Sequence, residues 1–215
     1  MDDRPVANWI MRLKHSSFAV AFMFLLPSVS TPQTPTTTQH RETADFRVQV
    51  WGHTAADFSR RVWNYSQLRS ELEKGLPPLT VTDDPAEISR AVHALAKRIR
   101  VARAGAQEGE IFTSTISVEF RKVLRFEVDA NTWAAIMDDN PGEFANQING
   151  TYTEERPLST VPPNVLAALP SLPADIQYRF VGRHLILLDT RASVILDRIP
   201  YAIECMQGAK VKECR

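Results

Sequence analysis

The sequence predicts an α+β protein in which an N-terminal group of three to four amphipathic helices packs with a C-terminal three-stranded antiparallel β-meander. Two observations predict this class. Apolar residues recur at helical spacing through residues 55–128, and they alternate with other residues over short runs from Ile176 onward. Neither a small sheet nor a set of amphipathic helices can bury its apolar face alone, so we expect one shared core.

Length, composition and charge fit a single globular domain over residues 46–200. The chain has 215 residues, of which 44% are hydrophobic and 23% are charged. It carries 25 basic and 25 acidic residues, so its formal net charge is zero. Nucleic-acid-binding proteins usually carry a basic excess, and the balance therefore predicts no nucleic-acid partner.

The N-terminal segment predicts export. Arg12 and Lys14 lie between Met11 and the apolar run 18–26, and small serines follow the run at the positions that a signal peptidase requires for a cut before Thr31. This order is typical of a signal peptide over residues 1–30. Met11 is an alternative true start, because the first ten residues include two aspartates. The run is too short for a stable transmembrane span, which predicts a periplasmic or secreted protein with transient membrane contact; an uncleaved membrane anchor is the alternative.

The segment after the signal peptide changes in composition. Residues 31–45 are rich in Thr and Pro and are predicted to form a linker. The next run, residues 46–51, alternates between apolar and polar side chains, which predicts a short strand or an extended lead-in.

Helices are predicted from apolar spacing and from capping residues. Thr54 is a predicted N-cap for the first helix. Asp84 can cap the second, since Pro85 suits its first position and Glu87 can complete a capping box. The predicted helices cover residues 55–75, 86–105 and 114–128, with shorter helical pieces around Trp133 and at 163–169.

The meander is predicted from the last third of the chain. Its strands are expected at residues 176–181, 184–188 and 193–197. Gly182-Arg183 has the composition of a two-residue hairpin turn with Gly first.

His184 and Asp189 are the candidate catalytic residues, because a base and an acid could serve acid–base chemistry. No nucleophile elbow, zinc-protease helix, P-loop or dinucleotide motif accompanies them. The alternative is structural: a substituted position at a hairpin corner for His184, a turn-forming carboxylate for Asp189 and a strand end for Asp197. The sequence leaves open whether the protein is an enzyme, and it predicts no cofactor.

No metal site is predicted either. The acidic stretch 138–150 lacks the glycine and the glutamate that a calcium loop requires at its sixth and twelfth positions, which leaves an acidic turn. Cys205 and Cys214 lie in the C-terminal tail, residues 201–215. In an oxidising compartment they are predicted to form a disulfide, two free thiols being the alternative.

Two further patterns have structural and functional interpretations. Basic residues of the second helix predict a solvated face, with an anionic-polymer site as the alternative; they are Arg90, Lys97, Arg98, Arg100 and Arg103. Aromatic residues at helical spacing predict core positions, with a ligand pocket as the alternative; they are Trp63, Tyr65, Phe120, Phe126 and Trp133.

Two long runs, residues 69–113 and 178–200, resemble a family of uncharacterised exported bacterial proteins. The shared elements are L-P-P-L, the D-P-A-E-I helix start, A-R-A-G-A-x-x-G-x-I-F-T and Y-R-F-V-G-R-x-L-x-L-x-D. The resemblance covers about residues 55–200 and implies no catalytic residue or cofactor. His184 departs from it, because relatives are expected to carry an acidic residue there.

The predicted function is that of a non-catalytic periplasmic or envelope protein that binds a protein or small-molecule partner. The alternative is an exported hydrolase whose histidine and carboxylate converge from separate elements. An enzyme predicts a concave pocket that holds a histidine within hydrogen-bonding reach of a carboxylate.

Overall fold

The structure, a computed structural model, describes residues 37–76, 83–145, 147–153 and 155–206; within the first helix it describes side chains from Arg47 onward. In these residues five helices precede a three-stranded antiparallel sheet, so the α+β class is confirmed. The elements are α1 (Thr37–Glu73), α2 (Pro85–Ala102), α3 (Ser114–Glu127), α4 (Ala130–Asp138), α5 (Pro163–Ala168), β1 (Ile176–Val181), β2 (His184–Asp189) and β3 (Val194–Ile199).

The predicted signal peptide lies outside the described residues. None of the helices within the described ranges combines the length and the apolar character that a bilayer span requires.

Helix α1 corrects two predictions. Residues 46–51 are helical rather than a strand, and Thr54 lies inside the helix rather than at its N-cap. Trp51, Thr54 and Phe58 begin a stripe at helical spacing that turns toward the core, and this packing outweighs an alternation of only six residues. The helix also includes residues 37–45, which the sequence assigns to the linker.

Helices α2 and α3 begin within one residue of the predicted starts, and a side chain caps each of them. Asp84 Oδ1 accepts the N–H of Ala86 at 2.9 Å, and Pro85 occupies the first helical position. Thr113 Oγ1 accepts the N–H of Ile116 at 3.4 Å. The side chains that these helices bury are Leu95, Ala96, Ile99, Ile116, Ser117, Phe120 and Leu124.

Two of the five aromatic residues predicted for the core are exposed. Trp63 keeps 60% of its surface accessible and Phe126 keeps 89%. Trp63 follows the buried Val62 by one residue, and Phe126 follows the buried Leu124 by two. A helix rotates by about 100° per residue, so both side chains point away from the core. Tyr65, Phe120 and Trp133 are buried, as predicted.

The meander has the predicted strands and turn. Strands β1 and β2 pair along their whole length on either side of Gly182-Arg183. Gly182 has a φ of +57°, a conformation that residues with a side chain rarely adopt. Strand β2 pairs with β3 in turn, with a bulge between Leu187 and Leu188.

The two faces of the meander are packed differently. The inner face joins the helices in the main core; its apolar residues are Ile176, Tyr178, Phe180, Leu185, Leu187, Val194, Leu196 and Ile199. The outer face forms a smaller cluster of Val181, Ile186, Leu188 and Ile195 with Tyr152 and Phe144.

A crossing segment, the described residues between Phe144 and Ser159, covers the outer face. At the edge of β3, the Tyr152 N–H donates to the Ser193 carbonyl at 2.9 Å. At the edge of β1, Ser159 Oγ accepts the N–H of Phe180 at 2.9 Å and donates to its carbonyl at 2.7 Å. The segment therefore runs from one edge of the sheet to the other.

Candidate functional site

Asp189 is fully buried at the end of β2. Its Oδ1 accepts the N–H groups of Arg191 and Ala192, each at 3.0 Å, as predicted for a turn former. Its Oδ2 accepts the hydroxyl of Tyr65, on α1, at 2.6 Å. Burial raises the pKa of Asp189, and the hydrogen bond from Tyr65 opposes that rise. Both oxygens thus hold the β2–β3 turn and α1 in place.

Arg69 adds a second link between α1 and the sheet. Its side chain is buried, its Nη2 donates to Asp175 Oδ2 at 2.7 Å, and its Nε lies 3.7 Å from Asp189 Oδ2. Tyr65 and Arg69 were not predicted as partners of Asp189. Their spacing of four residues places both on one face of the helix, and this is the signal that could have suggested a shared contact.

The carboxylate of Asp197 is also fully used in hydrogen bonds within the fold. The sequence predicts it only as a strand end, but it is fully buried on the helix side of the sheet. It accepts the N–H of Gly109 at 2.9 Å and those of Ile111 and Phe112 at 2.7 Å each. Burial raises its pKa, while these N–H donors oppose the rise. The side chain therefore fixes the α2–α3 connection to β3.

His184 lies within reach of one carboxylate. Its Nε2 is 3.5 Å from Glu143 Oε1, and its Nδ1 accepts the N–H of Tyr201 at 3.0 Å. An accepting Nδ1 places the proton of the neutral ring on Nε2. Burial lowers the pKa of His184. Because Tyr201 has a φ of +47°, the imidazole supports a strained residue just after β3.

The structure does not bring the two candidate catalytic residues together. His184 begins β2 and Asp189 ends it, so about 16 Å of extended chain separates them. Their partners also differ: Glu143 and Tyr201 for His184, and Tyr65 and Arg69 for Asp189.

The acidic turn at residues 138–142 contains a clamp that sequence reasoning missed. Asn140 Oδ1 accepts the N–H of Gly182 at 2.8 Å, and Asn140 Nδ2 donates to the Gly182 carbonyl at 2.9 Å. One amide side chain therefore holds both backbone groups of the hairpin glycine.

The basic face of α2 is less solvated than predicted. Arg103 is only 7% exposed, and its Nη2 donates to Glu110 Oε2 at 2.9 Å and to the Leu196 carbonyl at 3.0 Å. Arg100 Nε donates to the Asn149 carbonyl at 3.1 Å. The prediction of a solvated face is wrong for Arg103, because sheet and crossing-segment acceptors lie over the end of the helix.

The predicted disulfide involves a residue of the C-terminal tail. Cys214 lies outside the described residues, so its disulfide with Cys205 stays a prediction. Within the described ranges, no three His, Cys, Asp or Glu side chains are grouped so that they could hold a metal ion.

An open cleft of about 330 Å³ lies between the crossing segment and the β2–β3 turn. We call it the outer cleft. Buried Leu188 and Tyr152 supply its apolar surface, and Leu158, 50% exposed, stands at its mouth. The hydroxyl residues Thr153, Thr190 and Ser193 and the cation Arg156 complete its lining.

The cations beside the outer cleft lack carboxylate partners among the described residues. The guanidinium of Arg156 lies over the Phe144 ring, 4.1 Å from its centroid. Arg179, on β1, donates to the neutral side chain of Gln177, and its buried Nε has no hydrogen-bond partner in the described part of the chain. Burial raises the pKa of the Tyr152 phenol, and the charges of Arg179 and Arg156 oppose that rise. Arg156 therefore lies at the wall of the cleft, and Arg179 lies outside its lining but close enough for its charge to act on Tyr152.

A larger groove of about 680 Å³ lies between α1, α3 and α5. Val50, Val123 and the exposed Phe126 give it an apolar lining, and its charged rim includes the ion pair between Glu119 and Lys122 at 2.6 Å. The rim carries charges of both signs, so the groove indicates no particular ligand chemistry.

Comparisons with family models, with curated proteins and with solved structures found no match. The resemblance to exported bacterial proteins therefore stays a prediction, and function has to be argued from the described residues themselves.

Proposed function

We propose that the protein is an exported, non-catalytic binding protein of the periplasm or cell envelope that holds a small molecule in the outer cleft. The outer cleft is the observation that carries this proposal. It is concave, it has an apolar floor, and hydroxyl groups and a cation converge on it, which is the usual composition of a small-molecule site.

The candidate catalytic groups form hydrogen bonds within the fold, and this supports a binding role. Asp189 is occupied by two backbone N–H groups and a tyrosine hydroxyl, and Nδ1 of His184 is occupied by the N–H of Tyr201. Groups that hold the fold in this way are poorly placed to exchange protons with a substrate.

The test is a fragment screen with a library that includes neutral, acidic and basic compounds, followed by amide chemical-shift mapping. Fragments are expected to shift the amides of the crossing segment and of the β2–β3 turn. The variant Leu158→Asp should weaken binding by about tenfold, because it places a charge at the apolar mouth. Leu166→Asp is the matched control, since Leu166 is 48% exposed on α5 and outside the cleft. No shifts in the cleft with any fragment would refute the proposal.

Export has its own test. N-terminal sequencing of protein purified from the envelope fraction should give a chain that begins near Thr31. Intact Met1 or Met11 on cytosolic material would contradict export.

A hydrolase is the second candidate, favoured by the 3.5 Å separation between His184 Nε2 and Glu143 Oε1. It predicts turnover of ester or amide substrates that is lost in His184→Gln. The binding proposal predicts that this variant changes no turnover.

A further inference from the structure

The outer cleft has positively charged surroundings. Arg156 lines it, and the charge of Arg179 acts on its lining residue Tyr152; neither arginine is neutralised by a carboxylate within the described residues. Glu155, the neighbour of Arg156 in the crossing segment, is exposed and forms no ion pair in the described part of the chain. Two buried arginines elsewhere are paired with carboxylates, Arg69 with Asp175 and Arg103 with Glu110. Half-buried Arg183 resembles Arg179 in having a buried Nε without a partner in the described part of the chain, but it lies over the Tyr201 ring.

Arg179 is the more unusual of the two cations. It is half-buried on the outer face, where burial lowers its pKa. It donates to its strand neighbour Gln177, which lies directly across from the cleft residue Leu188. The guanidinium therefore lies beside the cleft without forming part of its lining. Its Nε is buried, so only the terminal nitrogens of the guanidinium, which lie in a fixed plane that matches a carboxylate, could meet a ligand.

The neutral groups of the cleft fit the same ligand. The hydroxyls of Thr153 and Ser193 have no partner among the described residues and can donate to an anion. Leu188 and Leu158 give an apolar surface for the rest of the molecule. The volume of about 330 Å³ limits that molecule to a small one.

We propose that the ligand of the outer cleft is a small organic carboxylate with an apolar body. Arg156 holds its carboxylate at the cleft wall, the charge of Arg179 beside the cleft adds to the attraction, and the body lies against Leu188 and Leu158. This inference rests on the proposed binding function and names its ligand class.

The test compares three probes by titration calorimetry and amide-shift mapping on the purified protein in a carboxylate-free buffer. Phenylacetate has both features, phenylacetamide has the same shape without the charge, and acetate has the charge without the body. Phenylacetate should bind at least about tenfold more tightly than either of the others.

Charge-removing variants locate the anion. Arg179→Gln should weaken phenylacetate binding by about tenfold and leave phenylacetamide binding unchanged, and Arg179→Lys should restore part of the loss. Arg156→Gln gives a second measurement if Arg179→Gln does not fold. Arg125→Gln is the matched control, because Arg125 is exposed and paired with Glu204 away from the cleft.

The outcomes separate the two proposals. Equal binding of phenylacetate and phenylacetamide, or an Arg179→Gln variant that binds phenylacetate normally, would overturn the carboxylate inference while leaving a small-molecule cleft in place. Cleft amides that respond to no probe and to no fragment would overturn both.

Discussion

On the inner face of the meander, Asp189 and Asp197 are buried carboxylates whose oxygens accept hydrogen bonds from a tyrosine hydroxyl and from backbone N–H groups. On the outer face, Arg156 and Arg179 lie beside a cleft with no carboxylate partner among the described residues. The inner charges are saturated and hold helices to the sheet, whereas the outer charges keep free donors. The comparison separates charges that stabilise the fold from charges that are free to bind.

Removal of an inner carboxylate should give the largest effect. We expect Asp197→Ala to lower the free energy of unfolding by about 3–5 kcal/mol, because the N–H groups of Ile111 and Phe112 would remain buried without an acceptor. Urea denaturation measures the loss. The exposed Asp83→Ala is the control and should change stability by less than about 0.5 kcal/mol. A loss below about 1 kcal/mol in Asp197→Ala would contradict the claim that the inner carboxylates stabilise the fold.

A smaller loss should follow from removal of one donor on the same face. Tyr65→Phe removes the hydroxyl that donates to Asp189 but keeps the buried ring, so we expect a loss of about 2 kcal/mol. The measurement is again the urea midpoint with an unchanged slope. Tyr201→Phe is the matched control, since Tyr201 is 54% exposed and should be nearly neutral.

Removal of a charge from the outer face should change the stability little. Arg179→Gln should change the unfolding free energy by less than about 1 kcal/mol, because no ion pair is lost and a half-buried charge is removed. Thermal melting of the ligand-free protein checks this value. A loss as large as that of Asp197→Ala would show that the outer cations are structural after all.

The smallest effect concerns pH. The pKa of His184 is lowered in the folded protein from its ordinary 6.5, so the folded chain binds fewer protons than the unfolded chain just below that value. The stability linked to His184 is therefore complete above about pH 6.5 and is lost as the pH falls through the folded-state pKa. We expect the wild type to lose stability relative to His184→Gln as the pH falls from 7 to 5. Parallel unfolding curves would refute it, since the other histidines are common to both chains.

The sequence predicted the sheet better than it predicted the charged contacts. Strand bounds and the Gly182-Arg183 turn follow from local alternation and from glycine chemistry, which act within a few residues. Helix α1 was misassigned at residues 46–51 because the stripe that begins at Trp51 becomes clear only when the whole helix is followed.

Long-range polar partners left no local signal. Tyr65 lies 124 residues before Asp189, and Asp197 lies 85 residues after Phe112. The outer cleft was not predicted, because it forms only where the crossing segment contacts the sheet. From its sequence, that segment is predicted only to be polar and irregular. Chemistry assembled by the fold from distant residues cannot be read from spacing alone.

The attachment of the crossing segment also bears on self-association. A three-stranded sheet has two edge strands, and unpaired edges recruit strands from other molecules. Here the backbone of residues 149–152 bonds along β3, and Ser159 occupies both backbone groups of Phe180 on β1. Another chain could pair with these occupied positions only after this segment is displaced. Aggregation should therefore depend on how firmly this irregular segment is attached, more than on the helices packed against the inner face of the sheet.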